Sequence, residues 1–303
     1  MKRKIIKQAN QAYTLTLPID WVRQNNLDKK ESEVEVNLAD KNLIITNPRE
    51  VSLKKAKIEV NNYGERMISR VVNAFYAKGV DELELVSKKD ISSILNKQFH
   101  ENLGYALVSQ EGDSYIIKDV GGSNYGELDE IFKRVFQMIL LFYDSAIRDV
   151  FGVEKETLES NNSRDEEINK FCLYLERAIS KMSYPDPING RVLFAYSFAL
   201  EKIGDEIHRL WRTNIKYKVK KTPALKELLE LSNKGLSMAF ESYYGHKPEM
   251  AEEIMKIRDR VREKSMNLLK LDATTARFVR HCVKIVEDAG DLSHLTLIRT
   301  LGG

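Results

Sequence analysis

The feature that most restricts how this chain can fold is a duplicated nine-residue pattern near its C-terminal end. Leu200-Glu201-Lys202-Ile203-Gly204-Asp205-Glu206-Ile207-His208 is matched by Val286-Glu287-Asp288-Ala289-Gly290-Asp291-Leu292-Ser293-His294, with Glu, Gly, Asp and His in register. The chain has only 5 histidines, so two of them in step with two matched pairs of carboxylates mark an internal repeat. Each copy closes a set of three helical patterns. The periodicity predicts helices over 127–151, 163–183, 188–212, 223–243, 248–270 and 273–300, with breaks at Gly152, Tyr184-Pro185-Asp186-Pro187, Thr222-Pro223, Gly245 and Pro248. Two three-helix repeats, 124–212 and 222–301, are expected. The second helices carry an echo: Asp165-Glu166-Glu167-Ile168-Asn169 and Asp259-Arg260-Val261-Arg262-Glu263.

Positions i, i+4 and i+7 share one helix face, so Glu201, Asp205 and His208 form a stripe only about 60° wide. Leu200, Ile203, Ile207 and Leu210 flank it, while Lys202, Glu206 and Arg209 fall on the far side. Like charges at i and i+4 repel, and something positive is expected to offset them. Either basic side chains of a neighbouring helix supply it, making a salt-bridged seam, or a metal ion does. Carboxylates and imidazoles projecting from facing helices are how helical bundles build iron, manganese or zinc sites. Glycine costs about 1 kcal/mol in mid-helix, so Gly204 and Gly290 point to a close neighbour.

Ahead of the helices the chain reads differently. Residues 1–48 alternate as short strands (Tyr13 to Leu17, Val34 to Leu38, Leu43 to Ile45) around one brief helix, Ile19 to Asn26, with a turn at Asp40-Lys41-Asn42. Residues 51–121 read as a small α/β segment. It comprises a helix marked by Ile68, Val71, Val72, Phe75 and Tyr76, a strand over Leu83 to Val86, a second helix from Asp90 to His100 and strands near Tyr105 and Tyr115, before a Gly121-Gly122-Ser123-Asn124 linker. The class expected is α+β: a β-rich N-terminal domain, an α/β middle segment and an all-α C-terminal pair of repeats.

Two resemblances attach to these residues. The paired Leu-Glu-Lys-Ile-Gly-Asp (200 to 205) and Val-Glu-Asp-Ala-Gly-Asp (286 to 291), each on the third helix of a three-helix repeat, resemble the signature of the PhoU family of phosphate-uptake regulators. That resemblance implies a regulator rather than an enzyme, acting with phosphate-transport or phosphate-signalling proteins. It also implies iron or zinc held by Glu201, Asp205, Glu287 and Asp291, with Asp165, Asp259 and Glu263 at the second-helix positions. Asn169 stands where that family often has an acid. His208 and His294 join the candidate ligands through helical geometry alone.

The run Arg3-Lys4-Ile5-Ile6-Lys7, then Tyr13 to Val22, then Val34-Glu35-Val36, resembles the AbrB-like swapped-hairpin domain, and its fusion to a PhoU-like half resembles an archaeal type of regulator. A homodimer through interleaved hairpins is implied, packing Leu15, Leu17, Val34, Val36 and Ile44, together with DNA binding. Gln8 to Gln11 and Lys30 to Glu33 replace turns where such domains carry glycine. Residues 1–30 hold seven Lys or Arg against two Asp, and Arg3, Lys4, Lys7 and Arg23 are the candidate DNA contacts. A second basic stretch, Arg212 to Lys221, has five cations and no acid, and is expected to be a solvated connector.

Other classes are excluded or left as alternatives. No apolar run approaches the roughly 20 residues of a membrane span, and the basic head lacks the apolar stretch of a signal peptide, so a cytoplasmic protein is expected. Cys172 and Cys282 suit buried free thiols. There is no P-loop, no spaced glycine fingerprint and no Gly-x-Ser-x-Gly elbow. His100, His246 and His281 lack acidic partners at helical spacing and are expected to be structural or exposed, and Trp21 and Trp211 to pack. The alternative to a regulator is a carboxylate-bridged di-iron-type metalloenzyme, disfavoured because such bundles use Glu-x-x-His.

Overall fold

A computed structural model of the chain describes residues 2–8, 12–39, 42–47, 53–122, 128–153, 155–182, 187–245, 247 and 249–301. Outside them lie the expected turns at Ala9 to Gln11, at Asp40-Lys41 and at Tyr184 to Asp186, the Ser123-Asn124 end of the linker, and Pro48, His246 and Pro248. The chain divides into two compact units, Met1–Leu53 and Lys54–Gly303.

The first unit is two separate antiparallel hairpins and a short helix. β1 (Ile5–Gln8) pairs with β2 (Ala12–Leu15), Ile5 opposite Leu15, and β3 (Glu35–Ala39) pairs with β4 (Asn42–Thr46), Glu35 opposite Thr46. Between them α1 (Ile19–Gln24) starts at Pro18, whose ring fixes φ at −62°. The Asn47 side-chain amide donates to the Asn25 carbonyl at 3.0 Å, tying the second hairpin to the end of α1. Ile5, Tyr13 and Leu38 are 69%, 67% and 82% exposed.

The second unit begins with a four-stranded sheet in the order β5-β6-β8-β7. β5 (Lys55–Glu59) runs parallel to β6 (Glu82–Val86) through the crossover helix α2 (Glu65–Ala77); after α3 (Ser92–Phe99), β7 (Tyr105–Glu111) and β8 (Ser114–Asp119) pair antiparallel. Leu83, Leu85 and Ile117 bury one face of the sheet in a core with Val72 and Tyr76 of α2 and Leu95 of α3. β5 escapes the sequence pattern because it is an edge strand, Lys-Ala-Lys-Ile-Glu, whose side chains alternate only between exposed and half-buried.

Six long helices follow: α4 (Leu128–Val150), α5 (Leu158–Lys181), α6 (Pro187–Tyr217), α7 (Pro223–Gly245), α8 (Met250–Leu268) and α9 (Ala273–Thr300). Local signals set their ends. Thr157, Thr222 and Asp272 accept the backbone N–H of Ser160, Leu225 and Thr275 at 3.1, 3.1 and 2.8 Å, and Gly152 closes α4 at φ +76°. α5 begins five residues before the expected 163 because Leu158 to Ser163 is polar and periodicity does not register it. α6 runs five residues past 212, so the expected solvated connector is helical for its first half. Within each set of three the helices pack on one another, and the two sets join along α6–α9 and α4–α7 around one continuous core. Tyr196, Phe136 and Tyr243 form its aromatic centre. Cys172 and Cys282 are buried and free.

Arg177 is the most buried of the links between sheet and bundle. Arg177 of α5, 1% exposed, donates to the carbonyls of Tyr76 and Val80 at 3.2 and 2.7 Å and to the carboxylates of Asp81 and Asp119 at 3.0 and 2.6 Å. Its guanidinium lies over the Tyr76 and Tyr105 rings, and Lys181, one turn on, also reaches Asp81. Burial pushes the Asp81 carboxyl up, but Lys181, the Lys54 N–H and Arg177 outweigh it and hold it below its ordinary value.

Candidate functional site

In the first repeat α5 and α6 carry facing polar stripes. α6 presents Glu201, Asp205 and His208, each partly buried, beside Leu200, Ile203, Ile207 and Leu210, all fully buried. Opposite them α5 presents Asn161, Asp165 and Asn169 at successive four-residue intervals, then Glu176. The Asp165 carboxyl is pushed up to about 7 by burial, then by the charges of Asp205 and Glu201. Glu176 is pushed up to about 7 by burial and by Glu201, and Glu201 is raised by burial and by Asp205. His208 is lowered, first by burial and then by Arg212. Five polar atoms here are buried without a hydrogen-bond partner among the described residues: Asn161 Oδ1 and Nδ2, Asp165 Oδ1, Asn169 Oδ1 and His208 Nδ1. A buried polar group left unmatched costs about 1–3 kcal/mol.

Asp205 pairs with exposed Arg209 one turn on, and Arg209 also reaches Glu206 at 2.7 Å. No three His, Cys, Asp or Glu side chains among the described residues converge on one point. An ion pair with a half-exposed arginine is worth about 0–1 kcal/mol, so releasing Asp205 from Arg209 costs little. The mouth is a cleft of about 530 Å³ lined by Glu201, Asp205 and Glu206 of α6, Arg70 and Asn73 of α2, and Lys284 and Asp288 of α9. Glu206, placed by the helical wheel on the solvent side, is covered by α9, where it meets His281 Nδ1 at 2.6 Å. His281 thus has its acidic partner on another helix, which spacing within one helix does not reveal. Trp211 packs as expected, its indole N–H donating to Asp149 at 2.7 Å.

The second repeat arranges the matching residues differently. Arg262 of α8 donates twice to Glu287, at 2.9 and 2.7 Å, and Arg258 pairs with Asp259 at 3.0 Å while its side chain lies against Gly290. Glu263, Asp291 and His294 are exposed. Oxygen and nitrogen donors are present, but guanidinium groups stand among them. The first repeat holds oxygen and nitrogen donors of the kind transition metals take, without bringing three of them together, and in the second Glu287 is paired with arginine.

In the N-terminal unit Arg3, Lys4, Lys7 and Arg23 are all exposed, Lys7 on β1 and Arg23 in the last turn of α1. Asn161 and Glu176 were not among the expected site residues. The four-residue spacing of Asn161, Asp165 and Asn169 is the signal that marks the first.

No protein-family model matches the chain, and no curated protein matches it. Among solved structures it is similar to the phosphate transport system regulatory protein PhoU from Streptococcus pneumoniae, with a TM-score of 0.47 and 16% sequence identity over 58% of this chain and 95% of that one. No helix among the described residues is long and apolar enough to cross a membrane.

Proposed function

We propose that the chain is a non-enzymatic, metal-dependent regulator of phosphate uptake or signalling, with iron or zinc held in its first helical repeat. The observation that carries this reading is the buried stripe of Asp165, Glu201, Asp205 and His208, which keeps unmatched polar atoms inside a repeat whose third helix bears the duplicated Glu-x-x-x-Asp motif. A bound cation would supply the missing positive charge and join α5 to α6, so that metal and fold stabilise each other. Metal analysis of protein purified without chelator or affinity tag tests it. Roughly one equivalent, lost in Asp165→Asn with Asp205→Asn, is the expected result. Absence of binding at micromolar metal would leave the stripe a solvated seam, and oxygen consumption by iron-loaded protein would favour a di-iron enzyme instead.

In the same proposal the N-terminal unit pairs with a second copy and meets DNA. A hairpin pair that exposes Ile5, Tyr13, Leu15, Val36 and Leu38 is marginal alone, and a two-fold partner covering Leu15 and Val36 supplies a core. Arg3, Lys4, Lys7 and Arg23 then double on one assembly and suit phosphate contacts, with affinity falling steeply with salt. Leu15→Glu with Val36→Glu in the full chain should yield monomers by light scattering. Charge reversal at Arg3 and Lys4 should abolish retardation of DNA at low ionic strength.

A further inference from the structure

The basic stretch after the first repeat does not end as a loose connector. The last turns of α6 and the start of α9 enclose a pocket of about 480 Å³, within the range of small-molecule sites, lined by Arg209, Arg212, Lys216, Tyr217, Arg277 and His281 among others and by no acidic residue. Arg209 and His281 are already matched by Glu206. Among the described residues Arg212, Lys216 and Arg277 have no salt bridge, and all three are exposed. Lys216 and Arg277 gather around one aromatic ring, 5.1 and 5.8 Å from the centre of Tyr217, and Arg212 lies one turn from Lys216 on the same face of α6, where like charges repel.

The helix ends sharpen the requirement. Lys216 in the last turn of α6 complements that helix's negative end. Arg277 stands in the second turn of α9 and reaches back to the same Tyr217 ring.

We infer that this pocket binds a small molecule carrying two adjacent phosphoryl groups, a diphosphate. Three unmatched cations balance the charge of about −3 on a diphosphate better than that of a single phosphate. Two guanidinium groups supply the forked donors that phosphate oxygens take, and the ammonium adds a third contact. Tyr217, 42% exposed, offers a ring on which a base could stack if the diphosphate belongs to a nucleotide.

Calorimetric titration of the full-length protein with pyrophosphate, ADP and inorganic phosphate tests this. Pyrophosphate and ADP should bind at least tenfold more tightly than phosphate, and added salt should weaken both. Equal affinity for the two assigns recognition to the diphosphate, and tighter ADP binding adds stacking on Tyr217. Arg277→Glu should lower affinity at least tenfold with an unchanged melting temperature without ligand, and Lys216→Glu does the same service should that variant fold poorly. The inference is overturned by absence of binding at low salt, by phosphate binding as well as pyrophosphate, or by affinity unaltered in both variants. Binding lost in Asp205→Asn but kept in Arg277→Glu would likewise overturn it, by placing the ligand at the acidic stripe.

Discussion

The two helical repeats share a motif and differ in where the second helix sends its arginines. α8 of the second repeat sets Arg262 on Glu287 and Arg258 against Asp259 and the surface of Gly290, and so offsets part of the acidic stripe. α5 of the first repeat turns Arg177 outward, into Asp81 and Asp119 beside the sheet, and leaves Asp165, Glu201 and Glu176 facing each other with raised affinities for protons. One helix therefore serves two purposes in the first repeat: it anchors the α/β segment and holds an unneutralised acidic seam. Divergence between duplicated elements lies here in the direction of cationic side chains rather than in the motif itself.

The largest effect should come from Arg177. Arg177→Ala removes the cationic partner of Asp119 and leaves Asp81 with Lys181 alone, and denaturant unfolding should show a loss of about 3–5 kcal/mol. Arg262→Ala removes a half-exposed partner of Glu287 and should cost less than about 1 kcal/mol. Comparable losses would break the contrast between the repeats.

Next comes pH. An acid whose proton affinity is raised on folding binds its proton more readily in the folded than in the unfolded chain, so stability rises as pH falls from about 7, the Asp165 value, toward the ordinary carboxylate range near 4. Chelator-treated protein should therefore melt at a higher temperature at pH 5.5 than at pH 7.5. Asp165→Asn should flatten that dependence and raise the melting temperature at pH 7.5 by roughly 2–4 °C, the shift that about 1 kcal/mol produces in a chain of this size.

The matched glycines give a smaller test. A Cβ at Gly290 would meet Arg258 Cδ at 3.7 Å, ordinary contact, whereas at Gly204 it would meet Ile168 Cγ2 at 3.1 Å, tighter than side chains normally allow. Gly290→Ala should gain up to about 1 kcal/mol from helix propensity. Gly204→Ala should gain less or lose, because fully buried Ile168 has little room to shift. Smallest of all, Glu263→Gln and His294→Ala should each change stability by less than about 0.5 kcal/mol, as exposed substitutions do, without altering metal content.

Much of the architecture is legible along the chain because helices and strands announce themselves at short range. Apolar residues at 3.6-residue spacing locate α4, α7 and α9 within two residues of their ends, and alternation finds β2, β3, β4 and β6. What escapes lacks an apolar face: the polar first turn of α5, the basic last turns of α6, and β5 on its charged edge. The candidate site divides the same way. Glu201, Asp205 and His208 declare themselves by position on one helix, whereas the Glu206–His281 contact and the Arg262–Glu287 pair join different helices and leave no periodic trace.

The α+β class, the helical C-terminal region and the acidic stripe on α6 are legible from residue spacing, whereas the boundary between compact units falls at Leu53, with the α/β segment joined to the helices. Only the tertiary structure decided which stripe an arginine of the second helix offsets, that Arg177 links the sheet to the bundle, and that Arg212, Lys216 and Arg277 line one pocket. The reason is physical: charge compensation depends on distances of a few ångströms between side chains from different elements, and those distances exist only after the helices have packed.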